Sequence, residues 1–318
     1  MPYIVIDLFS GGGGFSQGFR KAGFRIALAI DVDPTCAKTF SANFPETVML
    51  VEDVRDVNGY DIKYIVGRNP DIVIGSPPCE PFTGANPNRE KDPFDRLYKD
   101  PTGTLVLEYI RLVGELQPKI FVMENVPALN IRVLREALVK EFKYYGYERI
   151  YFNILRAEDY GTPSHRVRLF ISNIPLNPSP LGRVVTVGEA IGDISCESDL
   201  PNNECVKLSD KKMKRIIRIG WGKALYYYQG ANKKIPNYIR LDPNKLAPTV
   251  LGSSRFLHPY ENRLLTVREQ ARLMGFPDHH IFYGDKDQQY NQVGEAVPPP
   301  LSYAIALYLL NTYLKQNR

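Results

Sequence analysis

Cys79 closes the run Asp71-Ile72-Val73-Ile74-Gly75-Ser76-Pro77-Pro78-Cys79, in which two prolines deliver a thiol from the end of an apolar stretch. Each proline fixes its own φ and restricts the residue before it to extended geometry. The sulfur therefore sits just past the strand, a placement that suits a nucleophile, whereas a structural cysteine usually lies inside the apolar run. A second candidate is Asp7-Leu8-Phe9-Ser10-Gly11-Gly12-Gly13-Gly14-Phe15, where a β-rich run breaks into four glycines ahead of a helical stretch. Successive glycines let the backbone pass close to a ligand and expose amides at a helix N-terminus. Asp31 ends the next β-rich run at about the spacing, roughly 20 residues, at which a carboxylate holds the ribose in dinucleotide sites. The glycines alone do not separate NAD from another adenosine cofactor, and a tight turn without a ligand would use them too. Arg166 and Arg168, two residues apart in a β-rich run, share one face of it.

Positioning such groups calls for a sheet with helices on its faces. The first 175 residues alternate β-rich runs at 3–9, 25–30, 48–51, 71–74, 119–123, 149–155 and 167–172 with helical stretches at 15–22, 34–43, 104–116 and 131–144. Such alternation predicts an α/β fold with a mostly parallel, doubly wound sheet. Pro175, Pro178 and Pro180 mark a linker, and the next hundred residues lack a clean alternating pattern, so a second domain is expected to begin there. Within it, Thr266 to Met274 reads as a helix with Thr266 as N-cap and Glu269 completing a capping box, stopped by Gly275 and Pro277. A last helix, about 301–315, follows Pro298-Pro299-Pro300. The polar segment from Glu80 to Asp100, rich in Pro, Asn, Lys and Arg, reads as a mobile loop.

The 318 residues are 44% apolar and 24% charged, a globular balance, and no apolar stretch approaches the roughly 20 residues needed to cross a bilayer. With no signal-peptide pattern at the start, a cytoplasmic protein is expected. Cys36, Cys79, Cys196 and Cys205 fit a reducing compartment; their spacing suits no metal, and Cys196 and Cys205 carry no evident role. The net charge of +5 is lopsided: Lys207 to Arg240 holds ten basic residues against Asp210 alone. Trp221, Tyr226, Tyr227, Tyr228 and Tyr238 are interleaved with them, as on nucleic-acid-binding surfaces, although a solvated basic helix would also be charged.

Seven motifs occur in order: Asp7-Leu8-Phe9-Ser10-Gly11-x-Gly13-Gly14, Pro77-Pro78-Cys79, Gly103-Thr104-Leu105, Glu124-Asn125-Val126, Arg166-x-Arg168, Leu265 to Pro277, and Gly294-x-Ala296-Val297-Pro298-Pro299. The chain thereby resembles the cytosine-C5 DNA methyltransferase family almost from end to end. The resemblance implies a Rossmann-like methyltransferase sheet that binds S-adenosylmethionine, formed by 1–178 with 285–318, and a smaller target-recognition domain, 179–284, that contains the basic aromatic window. It implies that Cys79 attacks carbon 6 of a cytosine flipped out of double-stranded DNA, making carbon 5 nucleophilic toward the methyl sulfonium. Glu124 would hydrogen-bond the ring N3 and amino group; Arg166 and Arg168 would orient the cytosine carbonyl, Glu124 and the catalytic loop. Phe9 would stack on adenine, Asp31 would hold the ribose and Asp53 the adenine amino group. Ser10, Gly11, Gly13, Gly14, Val32, Pro78, Leu105, Glu295 and Val297 would complete the cofactor pocket. A monomer serving a restriction-modification system or acting alone is expected.

The sequence departs from that pattern at five places. Glu80 stands where Gln commonly follows the nucleophile, Ser164 where Gln precedes the arginines, Asp31 for Glu, Val32 for an aromatic and Glu295 for Asn. Glu80 is the least expected, because it sets a carboxylate beside a polyanionic substrate. The rival readings are the same reaction on RNA, whose tRNA-modifying branch usually adds a Cys-Phe-Thr tripeptide absent here, and a non-catalytic nucleic-acid-binding homologue. An NAD oxidoreductase would not need the later motifs.

Overall fold

The computed structural model describes residues 2–231 and 234–315; Met1, Lys233 of the basic window and the last three residues of the 285–318 segment lie outside them. The chain opens with β1 (Ile4–Leu8), α1 (Gly14–Lys21), β2 (Arg25–Asp31), α2 (Pro34–Asn43), β3 (Val48–Val51), α3 (Gly59–Val66) and β4 (Ile72–Gly75). It continues through α4 (Pro93–Tyr98), α5 (Leu105–Leu116), β5 (Ile120–Asn125), α6 (Arg132–Tyr144), β6 (Tyr151–Arg156) and β7 (Val167–Ser172). These strands form one sheet in the order β3-β2-β1-β4-β5-β7-β6, parallel except for β7, which runs antiparallel to both neighbours. The order reverses between β1 and β4, the switch point at which open α/β sheets leave a crevice for ligands.

Both faces of this sheet are covered, and the period of two along each strand decides which residue goes where. On β1, Ile4, Ile6 and Leu8 join one core with α5 and α6, through Tyr109, Leu112, Leu138 and Phe142, while Val5 joins the other. The second core receives Phe15 and Phe19 of α1 and Leu301, Ile305 and Leu309 of the C-terminal helix. Asp7 points to that second side and is buried, where its carboxylate accepts a hydrogen bond from Ser16 Oγ at 2.6 Å.

Residues beyond Ile174 build a second lobe from α7 (Val187–Ile191), α8 (Asp210–Ile216), β8 (Ala224–Gln229), β9 (Lys234–Arg240), β10 (Phe256–Leu257), α9 (Val267–Leu273) and α10 (Lys286–Glu295). β8, β9 and β10 form a small sheet of their own. The capping box foreseen at Thr266 is present: its hydroxyl accepts from Glu269 N, and Glu269 accepts from Thr266 N. Tyr290 and Val293 of α10 pack in the core of this lobe, whereas α11 (Pro299–Leu309) returns to the first. The last helix thus starts within the proline run, where Pro299 and Pro300 occupy the first turn and need no N–H partner, and a wider turn, Leu310–Leu314, follows it.

Three expectations need correction. Cys196 and Cys205 form a disulfide with Cα atoms 5.6 Å apart; Asn203, donating to the carbonyls of Ser195 and Ser198, folds the intervening loop so that they meet. Arg240, counted with the basic surface, is buried and donates to the carbonyls of Ile216, Ile219, His258 and Glu261. The stretch after Cys79 is not loop throughout: it holds α4, capped by Asp92, with Phe82 and Leu97 sunk in the core.

Candidate active site

Each chemistry-bearing residue foreseen in the first lobe leaves the sheet at one edge. Phe9 to Gly14 follow β1, Asp31 ends β2, Ser76 to Cys79 follow β4, Glu124 and Asn125 end β5, and Arg166 and Arg168 enter antiparallel β7. All but Gly13 and Asn125 line one cleft of about 1350 Å³ whose opposite wall is built from Tyr228, Lys234, Thr249, Ser253, Asn291 and Glu295 of the second lobe.

Cys79 is half-buried on this wall. Asn125 Nδ2 donates to Pro77 O at 3.0 Å, tying the Pro-Pro step to the end of β5. That link, which the sequence reading did not single out, belongs to the residue directly after Glu124. Burial, then the charges of Glu80 and Glu124, push the Cys79 thiol up to about 12, against the pull of Arg168 and Arg166. Glu124 is buried on the cleft wall, and its Oε1 lies 2.9 Å from Arg168 Nε in an ion pair. Arg166 is buried and spends its guanidinium on backbone carbonyls of the other lobe: Val250 and Gly294, each at 2.9 Å, and Glu295 at 3.3 Å. Burial, with Arg168 nearby, pushes it down to about 9, so it stays cationic at neutral pH. Of the two arginines, Arg168 sits on the carboxylate and Arg166 clasps the lobes together.

The glycine loop is strained where it meets the cleft. Phe9 has φ +60°, costly for a bulky residue, followed by Gly11 at +51° and Gly13 at +86°. A Cβ on Gly11 would meet nothing within 4 Å, so its backbone faces open space, while one on Gly13 would lie 2.5 Å from the Phe44 ring. Gly13 therefore serves packing behind the loop and does not line the cleft. Asp31 accepts from Gly11 N at 2.7 Å and from Asp33 N at 3.0 Å, and burial raises its pKa. Asp53 also lines the cleft, but Arg55 engages both of its carboxylate oxygens, at 3.0 and 2.6 Å. Ser10, Val32, Pro78, Leu105 and Val297 are on the wall as foreseen, and so is Cys36, which was not. An exposed backbone turn, an aromatic ring, a carboxylate at the end of β2 and apolar residues on the wall together fit an adenosine-bearing cofactor.

The residues that depart from the family pattern have distinct surroundings. Ser164 Oγ donates to Leu273 O at 2.8 Å, joining the entry of β7 to the end of α9. The carboxylates of Glu80 and Glu295 both line the cleft, and burial followed by the charge of Glu80 pushes Glu295 up to about 7.

The C-5 cytosine-specific DNA methylase model matches residues 3–311. A Methanocaldococcus jannaschii protein provisionally named as a type II methyltransferase is 47% identical, over 95% of this chain and 96% of its own. Type II methyltransferase M1.HphI of Haemophilus parahaemolyticus is 36% identical, over 96% of this chain and 86% of its own. Among solved structures, a prophage-encoded protein of E. coli, provisionally described as a DNA modification methyltransferase, superposes with a TM-score of 0.78 at 28% identity, covering 97% of this chain and 99% of that one. S. pombe Dnmt2 shares the fold, with a TM-score of 0.68 at 18% identity over 97% of this chain and 99% of its own. Methyl transfer to cytosine carbon 5 in DNA is thus the activity to which this cleft is matched, and the chain belongs to the C-5 cytosine-specific DNA methylase family, whose members draw the methyl group from S-adenosylmethionine.

Proposed function

We propose that this enzyme methylates a cytosine flipped out of double-stranded DNA through a covalent adduct between Cys79 and carbon 6. The observation that carries the reading is the shared cleft: Cys79, the Glu124–Arg168 pair and the glycine loop open into one space. S-adenosylmethionine supplies an electrophilic methyl on a sulfonium. Addition of the Cys79 thiolate across the 5,6 double bond leaves carbon 5 electron-rich; after methylation, loss of the carbon 5 proton and expulsion of the thiolate restore the ring. Glu124 meets the N3 edge and amino group of the base, which its place on the cleft wall, paired with Arg168, supports. Arg168 fixes Glu124, and Arg166 fixes the second lobe over the sheet. Phe9, Ser10, Gly11, Gly14, Asp31, Val32, Asp53, Pro78, Leu105, Glu295 and Val297 contact the cofactor, and Gly13 shapes its loop.

The small lobe, which runs on past the expected boundary at 284 to take in α10, reads the target sequence, and the protein acts as a monomer. The type II names of its relatives support a place in a restriction-modification system. Trapping tests the chemistry: with S-adenosylmethionine and duplex DNA containing 5-fluorocytosine, a denaturation-resistant complex is expected that Cys79→Ser abolishes. An adduct formed on RNA alone would reassign the substrate, and no adduct on either would leave a binding protein.

A further inference from the structure

The segment between α9 and α10 reaches from the second lobe to the back of the glycine loop. Its His280 is fully buried, with Nε2 2.8 Å from Gly12 O. The ring lies among Phe276, Phe282 and Phe44, at centroid distances of 4.8, 5.0 and 6.3 Å. Because a carbonyl only accepts, Nε2 carries the proton; Nδ1 is buried and has no partner among the described residues. The segment is pinned on both sides of the ring: Arg268 donates to His280 O, Asn43 exchanges two hydrogen bonds with Ile281 at 2.8 and 2.9 Å, and Tyr283 N donates to Thr39 Oγ1 at 2.8 Å. On the other side of the Gly11–Gly12 peptide, the Ser10–Gly11 peptide is held from the first lobe by Asp31, which accepts from Gly11 N. The glycine loop is therefore gripped from two sides by groups on different lobes.

We propose that His280 is a positioning residue for the cofactor: by donating from Nε2 to Gly12 O it keeps the Gly11–Gly12 backbone aimed into the cleft, so that cofactor affinity depends on a second-lobe side chain that does not itself line the cleft. This rests on the reading of the cleft as an S-adenosylmethionine site. Burial, reinforced by Arg268, Arg20 and His279, pushes the imidazole down to about 3, which keeps it neutral and able to act as a simple donor at working pH. Nothing near it in sequence marks the role, because Gly12 and His280 are 268 residues apart.

The test compares His280→Phe, which fills the aromatic box without a donor, with His280→Gln, whose amide nitrogen reaches the same point. Binding of S-adenosylhomocysteine to the full chain is measured by calorimetry, alongside DNA affinity, thermal unfolding and hydrogen exchange of the Gly11–Gly13 amides in ligand-free protein. The Phe variant should bind the nucleoside about tenfold more weakly, as expected for stranding one buried carbonyl, with faster exchange at the loop and DNA affinity unchanged within about twofold. The Gln variant should recover most of the loss. Unchanged nucleoside affinity and loop exchange in His280→Phe would overturn the proposal, as would equal losses for nucleoside and DNA that Gln fails to repair. Failure of the wild type to bind the nucleoside would remove the cofactor reading and this inference with it, whereas faster loop exchange in His280→Phe with unchanged nucleoside affinity would overturn the inference alone.

Discussion

At the scale of single residues, the proposed nucleophile is set up so as not to react on its own. Cys79 is held as a thiol by burial and by two carboxylates, Glu80 and Glu124, with two arginines pulling the other way. With Glu124 assigned to the base in the proposed mechanism, Glu80 is the adjustable charge, and its placement after Cys79 gains a physical meaning: it adds to burial in holding the sulfur as a thiol. A raised thiol pKa leaves little thiolate at neutral pH, and the amount grows tenfold per pH unit until the pKa is reached. Replacing Glu80 by Gln keeps the shape and removes the charge, so the alkylation profile of Cys79 should move to lower pH. If the shift is one unit, iodoacetamide should label Cys79 about tenfold faster at pH 8 than in the wild type. Peptide mass spectrometry separates this from Cys36, whose thiol burial also raises. A profile that stays in place, or moves to higher pH, would contradict the role given to Glu80.

At the scale of elements, α1 and α11 carry the connection between the glycine loop and the C-terminal segment. α1 packs so closely on α11 that a Cβ added at Gly18 would lie 2.3 Å from Tyr303 N, and Ser302 Oγ donates to Phe15 O. Gly18→Ala should therefore destabilise the chain by about 1–3 kcal/mol through overpacking, despite the better helix propensity of alanine, and should lower the midpoint of thermal unfolding. An unchanged or raised midpoint would show that the helices part without cost. This contact was only half legible. The helix at 15–22 and the apolar run after Pro298 could be read from periodicity, but their meeting depends on a chain reversal far apart in sequence. The same division runs through the fold. Strands 48–51 and 167–172 stand where the β-rich pattern put them, because apolar alternation is local. α10 was missed because it is rich in Gln and Asn and buries only Tyr290, Gln292, Val293 and Gly294. In the site, Cys79, Glu124 and Asp31 could be found because a doubly wound sheet brings strand ends to one edge. Asn291 and Thr249 on the cleft wall, and His280 behind the glycine loop, could not, since long-range packing of the second lobe brings them there.

At the scale of the molecule, the cleft is lined by seven carboxylates, Asp31, Asp33, Glu52, Asp53, Glu80, Glu124 and Glu295, against the four cations Arg55, Arg166, Arg168 and Lys234 among the described residues, yet it must admit a polyanion. With acids in excess there, most of the attraction has to come from outside it. Arg240 is not part of that surface, and two of the aromatic residues are already engaged within the lobe: Arg215 lies over Tyr226 at 4.8 Å, and Lys212 is 5.4 Å from Tyr238. What remains exposed is Lys207, Lys211, Lys214, Arg218 and Lys223, with Trp221 and Tyr227 beside them, while Lys234 and Tyr228 carry the same hairpin to the mouth of the cleft. Such a surface acts by releasing counterions, with a slope of log affinity against log salt of about 0.9 per phosphate neutralised. Changing Lys211, Lys214 and Arg218 together to Gln should therefore weaken duplex binding and flatten that slope by up to about 2.7, for cognate and unrelated sequences alike. Methyl transfer at saturating DNA should persist, because none of the three lines the cleft. Filter binding between low and moderate salt decides the matter: a slope equal to the wild type would move the DNA track away from α8. Loss for one sequence only would assign these side chains to base reading instead of the backbone.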